Sequence, residues 1–199
     1  ISASLVGSEM CIRDRRKSNG IPSCNIVWFW INERRYMNRY ELLKSLKGIL
    51  NENLVICNIG LPSQELYKID DQPNYFYMLG SMGLSSSIGL GLSIAQEKQV
   101  ISIDGDGSVL MNMNTLATIG NRAPVNYTLL IIDNGSYGST GDQNTFTKEN
   151  TSLKEVAIGA GCKKVIECYG EDTADNLKKA INDKDCLLYT SDAADESVC

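Results

Sequence analysis

Asp106 stands between two glycines, Gly105 and Gly107, just after the apolar run Val100 to Ile103. A carboxylate in that place sits where the backbone is most exposed and most pliable. Asn134 follows 28 positions after Asp106, beyond a second apolar run, Tyr127 to Ile132. Between Gln99 and Thr147 the only lysine or arginine is Arg122. An anionic ligand between these two loops therefore needs backbone N–H groups, with a metal ion to offset its charge. Magnesium suits the task, because it takes oxygen ligands and is readily shared between a carboxylate and phosphates. Asp106 offers a carboxylate oxygen and Asn134 an amide oxygen, while Gly105 and Gly107 let a phosphate come close to the backbone. Two other phosphate-binding patterns fail. A P-loop needs a lysine after its glycines, and a dinucleotide fingerprint needs glycine at position 110, which is leucine. The chain has no histidine, which excludes histidine-based acid–base or metal chemistry within it.

The elements around these residues follow from hydrophobic periodicity. Residues 38–50 and 113–121 carry apolar side chains at helical spacing, and Pro62 to Ile69 reads as a helix opening with proline. Gly83 to Ala95 is rich in small residues, so as a helix it is intrinsically weak, each glycine costing about 1 kcal/mol against alanine. Such a helix makes sense where another backbone or a ligand must approach closely. Val100 to Ile103 and Tyr127 to Ile132 read as buried strands, Leu54 to Cys57 and Lys164 to Cys168 as strands, and 151–159 and 173–181 as further helices. Strands alternating with helices predict an α/β fold, a doubly wound parallel sheet with helices on both faces. Ligands on such sheets bind beyond the carboxyl ends of the strands. The loops 105–108 and 134–141 both fall there.

A length of 199 residues allows one sizeable α/β domain. The net charge of -5 leaves no basic surplus for nucleic acid. Seven cysteines, an odd number with no C-x-x-C pair, suit a reduced, cytoplasmic setting. The longest apolar run, Ile26 to Ile31, is far too short to span a bilayer, so no membrane partner is expected.

The ends read differently from the middle. Leu5 to Asp14 and Cys186 to Asp195 resemble translated sequencing-adapter DNA. If Glu9 to Arg15 are coded by GAGATGTGTATAAGAGACA, the opposite strand encodes Cys-Leu-Leu-Tyr-Thr-Ser, the residues at 186–191. The expected organisation is therefore a non-native leader over 1–36, a diphosphate- and metal-binding domain over 37–185 that is truncated at its C-terminal end, and a foreign tail over 186–199.

Gly105-Asp106-Gly107-Ser108, followed by Asp133-Asn134-Gly135, resembles the thiamine diphosphate motif, a GDG with paired asparagines at a set distance. Asp133 departs from the first asparagine of the pair. The resemblance implies Mg2+ held by Asp106, Asn134 and the backbone carbonyl of Ser136, with Gly105, Gly107, Ser108, Tyr137 and Gly138 beside the cofactor. Gly80-Ser81-Met82-Gly83 looks like the segment that cradles the aminopyrimidine, with the Gly80 carbonyl as acceptor and Met82 as the apolar wedge. The segments Asn58 to Tyr67, Tyr77 to Leu84 and Tyr137 to Gly141 are similar to the beta subunits of sulfopyruvate decarboxylases. That likeness implies decarboxylation of 3-sulfopyruvate to sulfoacetaldehyde and CO2, a step of coenzyme M biosynthesis. It also implies a separate alpha subunit that carries the pyrimidine-binding domain and the activating glutamate, Glu65 being a poor substitute. Ser63, Ser139, Thr140 and Gln143 are the candidate donors to the sulfonate, together with a basic group from the partner.

Phosphonopyruvate decarboxylase has similar segments and is the main alternative. The beta subunit of a 2-oxo acid:ferredoxin oxidoreductase would share the metal motif, but the cysteine spacing offers no iron–sulfur site. A non-enzymatic alternative is a nucleotide-binding module of flavodoxin-like layout, which would have no need of magnesium with thiamine diphosphate.

Overall fold

The computed structural model describes residues 37–168, 172–182 and 187–192. The expectations for Cys11, Cys24, Cys186 and Cys199, for the leader 1–36 and for the tail beyond 192 lie outside them. Helix α1 (Arg39–Glu52) opens on a capping box: Asn38 Oδ1 accepts from the Glu41 N–H at 2.9 Å and Glu41 Oε2 accepts from the Asn38 N–H at 3.2 Å. Then follow β1 (Leu54–Cys57), α2 (Leu61–Ile69), β2 (Tyr75–Tyr77), α3 (Ser85–Ala95) and β3 (Val100–Gly105). Next come α4 (Asp106–Met111), α5 (Asn114–Arg122), β4 (Tyr127–Asp133) and a small hairpin, β5 (Ser136–Tyr137) with β6 (Gln143–Asn144). After a 3-10 turn at Phe146–Lys148, the described chain continues through α6 (Leu153–Gly159), β7 (Val165–Glu167), α7 (Asp172–Asn182) and β8 (Leu187–Asp192).

All pairings in the main sheet are parallel, and its order is β2-β1-β3-β4-β8-β7. Strand residues alternate between two apolar clusters. Val55, Cys57, Ile101, Ile103, Leu130 and Ile132 pack with Leu42, Leu43 and Leu46 of α1, Leu66 of α2 and Leu177 of α7. Ile56, Leu129 and Ile131 point the other way, into a cluster with Leu90 of α3, Leu116 and Ile119 of α5, and Leu153 and Ala157 of α6. Both faces are therefore buried, which is why the strands read as nearly continuous apolar runs. The doubly wound arrangement expected from the sequence is the one observed.

Three elements differ from the sequence reading. The segment beginning at Asp106 is the first turn of α4 rather than a loop. Tyr75–Tyr77 forms β2, too short to show a period, and pairs with β1 through three register positions. Leu187–Asp192, left out of the fold by the sequence reading, pairs in parallel with β4 and β7. An open strand edge offers a row of unpaired N–H and C=O groups. A β-prone run such as Leu187-Leu188-Tyr189-Thr190 can fill that edge whatever DNA encodes it.

The chain turns back on itself between β1 and β3. From β1 it winds outward through α2 to β2, and from β3 it winds the other way to β4. That reversal is the switch point at which a crevice opens beyond the strand ends.

Candidate active site

A cleft open to solvent, of about 170 Å³, occupies the switch point. Asn58, Ile59, Gly60 and Leu61, after β1, line one side of it; Gly105 to Ser108, after β3, and Asn134 with Ser136 to Thr140, after β4, line the rest. Met82 and Arg39 complete the wall.

Asp106 is 1% exposed at the start of α4. Its Oδ2 accepts from the hydroxyl of Thr145 and, at 3.1 Å, from that of Thr147. Burial pushes this carboxyl above its usual range, while these donors and the Gly107 N–H pull the other way. A buried carboxylate raised by desolvation has much to gain from a cation.

Asn134 Oδ1 accepts from the Ser136 N–H at 3.2 Å, which folds the chain over toward the hairpin. Asp133, the departure from the paired-asparagine pattern, does not line the cleft. It is 3% exposed, and its Oδ1 accepts from the Gly135 N–H at 3.0 Å and the Thr147 hydroxyl at 2.9 Å. Thr147 thus stands within hydrogen-bond reach of both carboxylates, 106 and 133, with a single hydroxyl proton to give. Thr145 and Thr147 carry no motif signal and lie about 40 positions from Asp106, so only the tertiary fold reveals them.

Asp104, two residues before Asp106 on β3, is fully buried and raised to about 6 by that burial. It accepts from the hydroxyl of Ser85, and Ser108 Oγ accepts from the Gly83 N–H at 2.9 Å. The Ser108–Gly83 bond ties the 80–83 segment to the start of α4. Within that segment Ser81 holds φ 62° and Gly83 φ 93°. A left-handed serine is a locally strained conformation of the kind found around ligand sites. Met82 lines the cleft, whereas Gly80 and Ser81 are exposed beside it.

The two glycines of the motif play different parts. A Cβ on Gly105 would meet nothing closer than the Ile132 carbonyl at 3.9 Å, so its cleft side is open to a ligand. A Cβ on Gly107 would stand 2.3 Å from Tyr137 Cε1, so that glycine makes room for a tyrosine ring.

The candidate substrate donors divide. Ser139 and Thr140 line the cleft; Ser63 and Gln143 do not. Ser63 donates to the carbonyls of Asn58 at 2.6 Å and Cys57 at 3.3 Å, and Gln143 lies exposed on β6. Arg39, which the sequence reading did not single out, brings a basic side chain to the cleft lining. Its Nε and Nη2 donate to Glu65 at 2.8 and 2.9 Å, which commits Glu65 to a structural pair. Nothing local in the sequence links Arg39 to the motif.

The residues present fit a hard cation with a diphosphate. The donor set is all oxygen, a carboxylate beside an amide, with an open glycine backbone next to it. Among the described residues no group of three His, Cys, Asp or Glu side chains could hold a metal by itself. That suits an ion that completes its shell with a phosphate.

Residues 58–189 match the family model of the thiamine pyrophosphate enzyme C-terminal TPP binding domain. The chain belongs to the thiamine pyrophosphate enzymes. It is 47% identical over 154 residues to the sulfopyruvate decarboxylase subunit beta of Methanocaldococcus jannaschii, covering 77% of this chain and 82% of that one. It is 41% identical over 141 residues to the phosphonopyruvate decarboxylase of Streptomyces viridochromogenes, covering 70% of this chain and 35% of that one. A solved structure described as a thiamin diphosphate-dependent enzyme isolated from Mycobacterium smegmatis superposes with a TM-score of 0.61 at 15% identity, over 84% of this chain and 35% of that one. That likeness concerns the fold. The family membership agrees with the resemblance read from the GDG and Asn134 segments.

Proposed function

We propose that this chain is the beta subunit of a thiamine diphosphate- and Mg2+-dependent decarboxylase that converts 3-sulfopyruvate to sulfoacetaldehyde and CO2. The observation that carries the reading is the meeting of Asp106 and Asn134 in the lining of one cleft. Asp106, the Asn134 amide oxygen and the Ser136 carbonyl are the proposed Mg2+ ligands. Gly105, Gly107, Ser108, Tyr137 and Gly138 flank the diphosphate, and Gly80, Ser81 and Met82 meet the aminopyrimidine. Bound thiamine diphosphate supplies the electron sink for loss of CO2. This chain's residues place it, keep its charge balanced and present Ser139 and Thr140 to the substrate.

Glu65 is held by Arg39, so the glutamate that activates the cofactor belongs to an alpha subunit with a pyrimidine-binding domain. The working complex is then a heteromer with its site at the subunit boundary, operating in the cytoplasm. Among the described residues no helix is long and apolar enough to cross a membrane.

The test is titration calorimetry with thiamine diphosphate, with and without Mg2+, on the complex of both subunits, alongside turnover of 3-sulfopyruvate and 3-phosphonopyruvate. Expected are Mg2+-dependent binding, preference for the sulfonate, loss of both in Asn134→Ala, and no turnover by this chain alone. Cofactor binding indifferent to Mg2+, or decarboxylation by the isolated chain, would refute the assignment.

A further inference from the structure

We infer that Thr145 and Thr147 are positioning residues: they fix the carboxylate of Asp106 and its spacing from Asn134, and so hold the cation site to the geometry of Mg2+. The inference rests on the thiamine diphosphate reading above and adds residues which that reading does not use.

Neither threonine lines the cleft, so each acts through Asp106 and not on cofactor or substrate. They are 1% and 7% exposed, and both hydroxyls are directed at the same carboxylate oxygen, Oδ2. The last torsion of a carboxylate side chain is broad and two-fold, so by itself it holds no fixed orientation. Two hydroxyls on one oxygen remove that freedom and reserve the other oxygen, Oδ1, for an ion. The hydroxyls are themselves held. Threonine is branched at Cβ and stiff at χ1, and the two Oγ1 atoms bond each other at 2.8 Å.

Each threonine also grips the segment that carries Asn134. The Thr145 N–H donates to the Gly135 carbonyl at 2.9 Å, and the Thr147 hydroxyl lies 2.9 Å from Asp133 Oδ1. Asp133 and Gly135 are the chain neighbours of Asn134. The pair therefore braces the end of β3, which leads into Asp106, against the end of β4, which leads into Asn134.

Such a brace matters to one ion more than another. Mg2+ demands near-octahedral oxygen ligands at about 2.0–2.1 Å, whereas Ca2+ accepts irregular shells at about 2.3–2.6 Å. Ligands left loose should cost Mg2+ more. Groups that orient a metal ligand contribute roughly ten- to a hundredfold in metal affinity.

Thr145→Val and Thr147→Val test the brace, because each keeps the shape of the side chain and removes the hydroxyl. The complex of both subunits is held at a fixed concentration of thiamine diphosphate and titrated with Mg2+ or with Ca2+ in a calorimeter. Expected is a rise of about tenfold or more in the Mg2+ concentration that half-saturates the complex, with a smaller rise for Ca2+. Thr145→Ser and Thr147→Ser, which restore the hydroxyl, should return to within about twofold of wild type. Each threonine is judged by its own variants. Mg2+ half-saturation within about twofold of wild type, an equal loss for the two ions, or a serine variant as weak as the valine overturns its role. Should a valine variant fail to fold, as judged by circular dichroism, Thr145→Ala or Thr147→Ala carries the same readouts and criteria. A wild-type complex whose cofactor binding ignores Mg2+ rejects the functional reading and the brace with it. Mg2+-dependent binding in wild type with unaffected variants rejects the brace alone.

Discussion

Replacing Gly89 by alanine should destabilise this protein, although the same change in an ordinary helix stabilises by about 1 kcal/mol. Gly89 sits in the middle of α3, facing the sheet. A Cβ there would stand 1.9 Å from Ser102 Oγ, 3.0 Å from Tyr127 Cε2 and 3.3 Å from Ser102 Cβ. Rotating the Ser102 hydroxyl relieves the first contact but breaks its bond to the Ser85 carbonyl, 3.1 Å long, at a cost of about 1 kcal/mol. The other two contacts remain tight, and overpacking of this kind costs about 1–3 kcal/mol. The net expectation is a loss of about 1–3 kcal/mol. Gly91 is the internal control, exposed on the same helix with no atom within 4 Å of its virtual Cβ. There alanine should stabilise by up to about 1 kcal/mol. Urea unfolding followed by circular dichroism reads both. With a slope of about 1–3 kcal/mol per molar, the Gly89→Ala midpoint should drop by roughly 1 M and the Gly91→Ala midpoint should rise. In a Ser102→Ala background part of the Gly89→Ala loss should disappear, giving a coupling of about 1 kcal/mol. If Gly89→Ala stabilises as Gly91→Ala does, the close approach of α3 to β3 is not what demands the glycine.

Other expectations follow from particular contacts. Ser63→Ala should lower stability by about 1 kcal/mol through its lost bonds to the Cys57 and Asn58 carbonyls, and should leave KM unchanged; a raised KM with intact stability would contradict this. Gly107→Ala should cost about 1–3 kcal/mol and displace Tyr137, whose ring lies 2.3 Å from the added carbon, and Tyr137→Ser should recover part of the loss in a urea titration. Burial pushes the Cys57 thiol from 9.0 to about 12 and the Tyr75 hydroxyl from 10.0 to about 12. The folded chain therefore keeps these protons where the unfolded chain has lost them. Stability should be full below about pH 9 and fall as pH rises toward 12, and Cys57→Ala should flatten the onset. A midpoint that holds or climbs over that window would contradict the assignment.

Asp106 and Asn134 were legible because each stands where an apolar strand gives way to glycine, and parallel strands bring such ends to one edge of the sheet. The layer order was legible for a related reason: strands buried on both faces leave continuous apolar runs, and the helices between them leave a period near 3.6 residues. The helical start at Asp106 was not, since two glycines in a row of four read locally as a turn. The partners of the carboxylates were not legible either. Thr145 and Thr147 reach Asp106 across about 40 residues of sequence, and no spacing rule joins them.

By itself, then, the sequence determined the class of fold, the edge of the sheet where the cleft opens and the oxygen-bearing residues that stand there. These depend on residue type and on periods of two and 3.6, which are local. Only the tertiary structure decided that Ser63 turns its hydroxyl to the backbone, that Gly107 yields its space to Tyr137, and that Arg39 and Asn58 line the cleft. Those outcomes depend on which distant segments the winding of the sheet brings into contact. Contacts of that kind leave no trace in the order of residues along the chain.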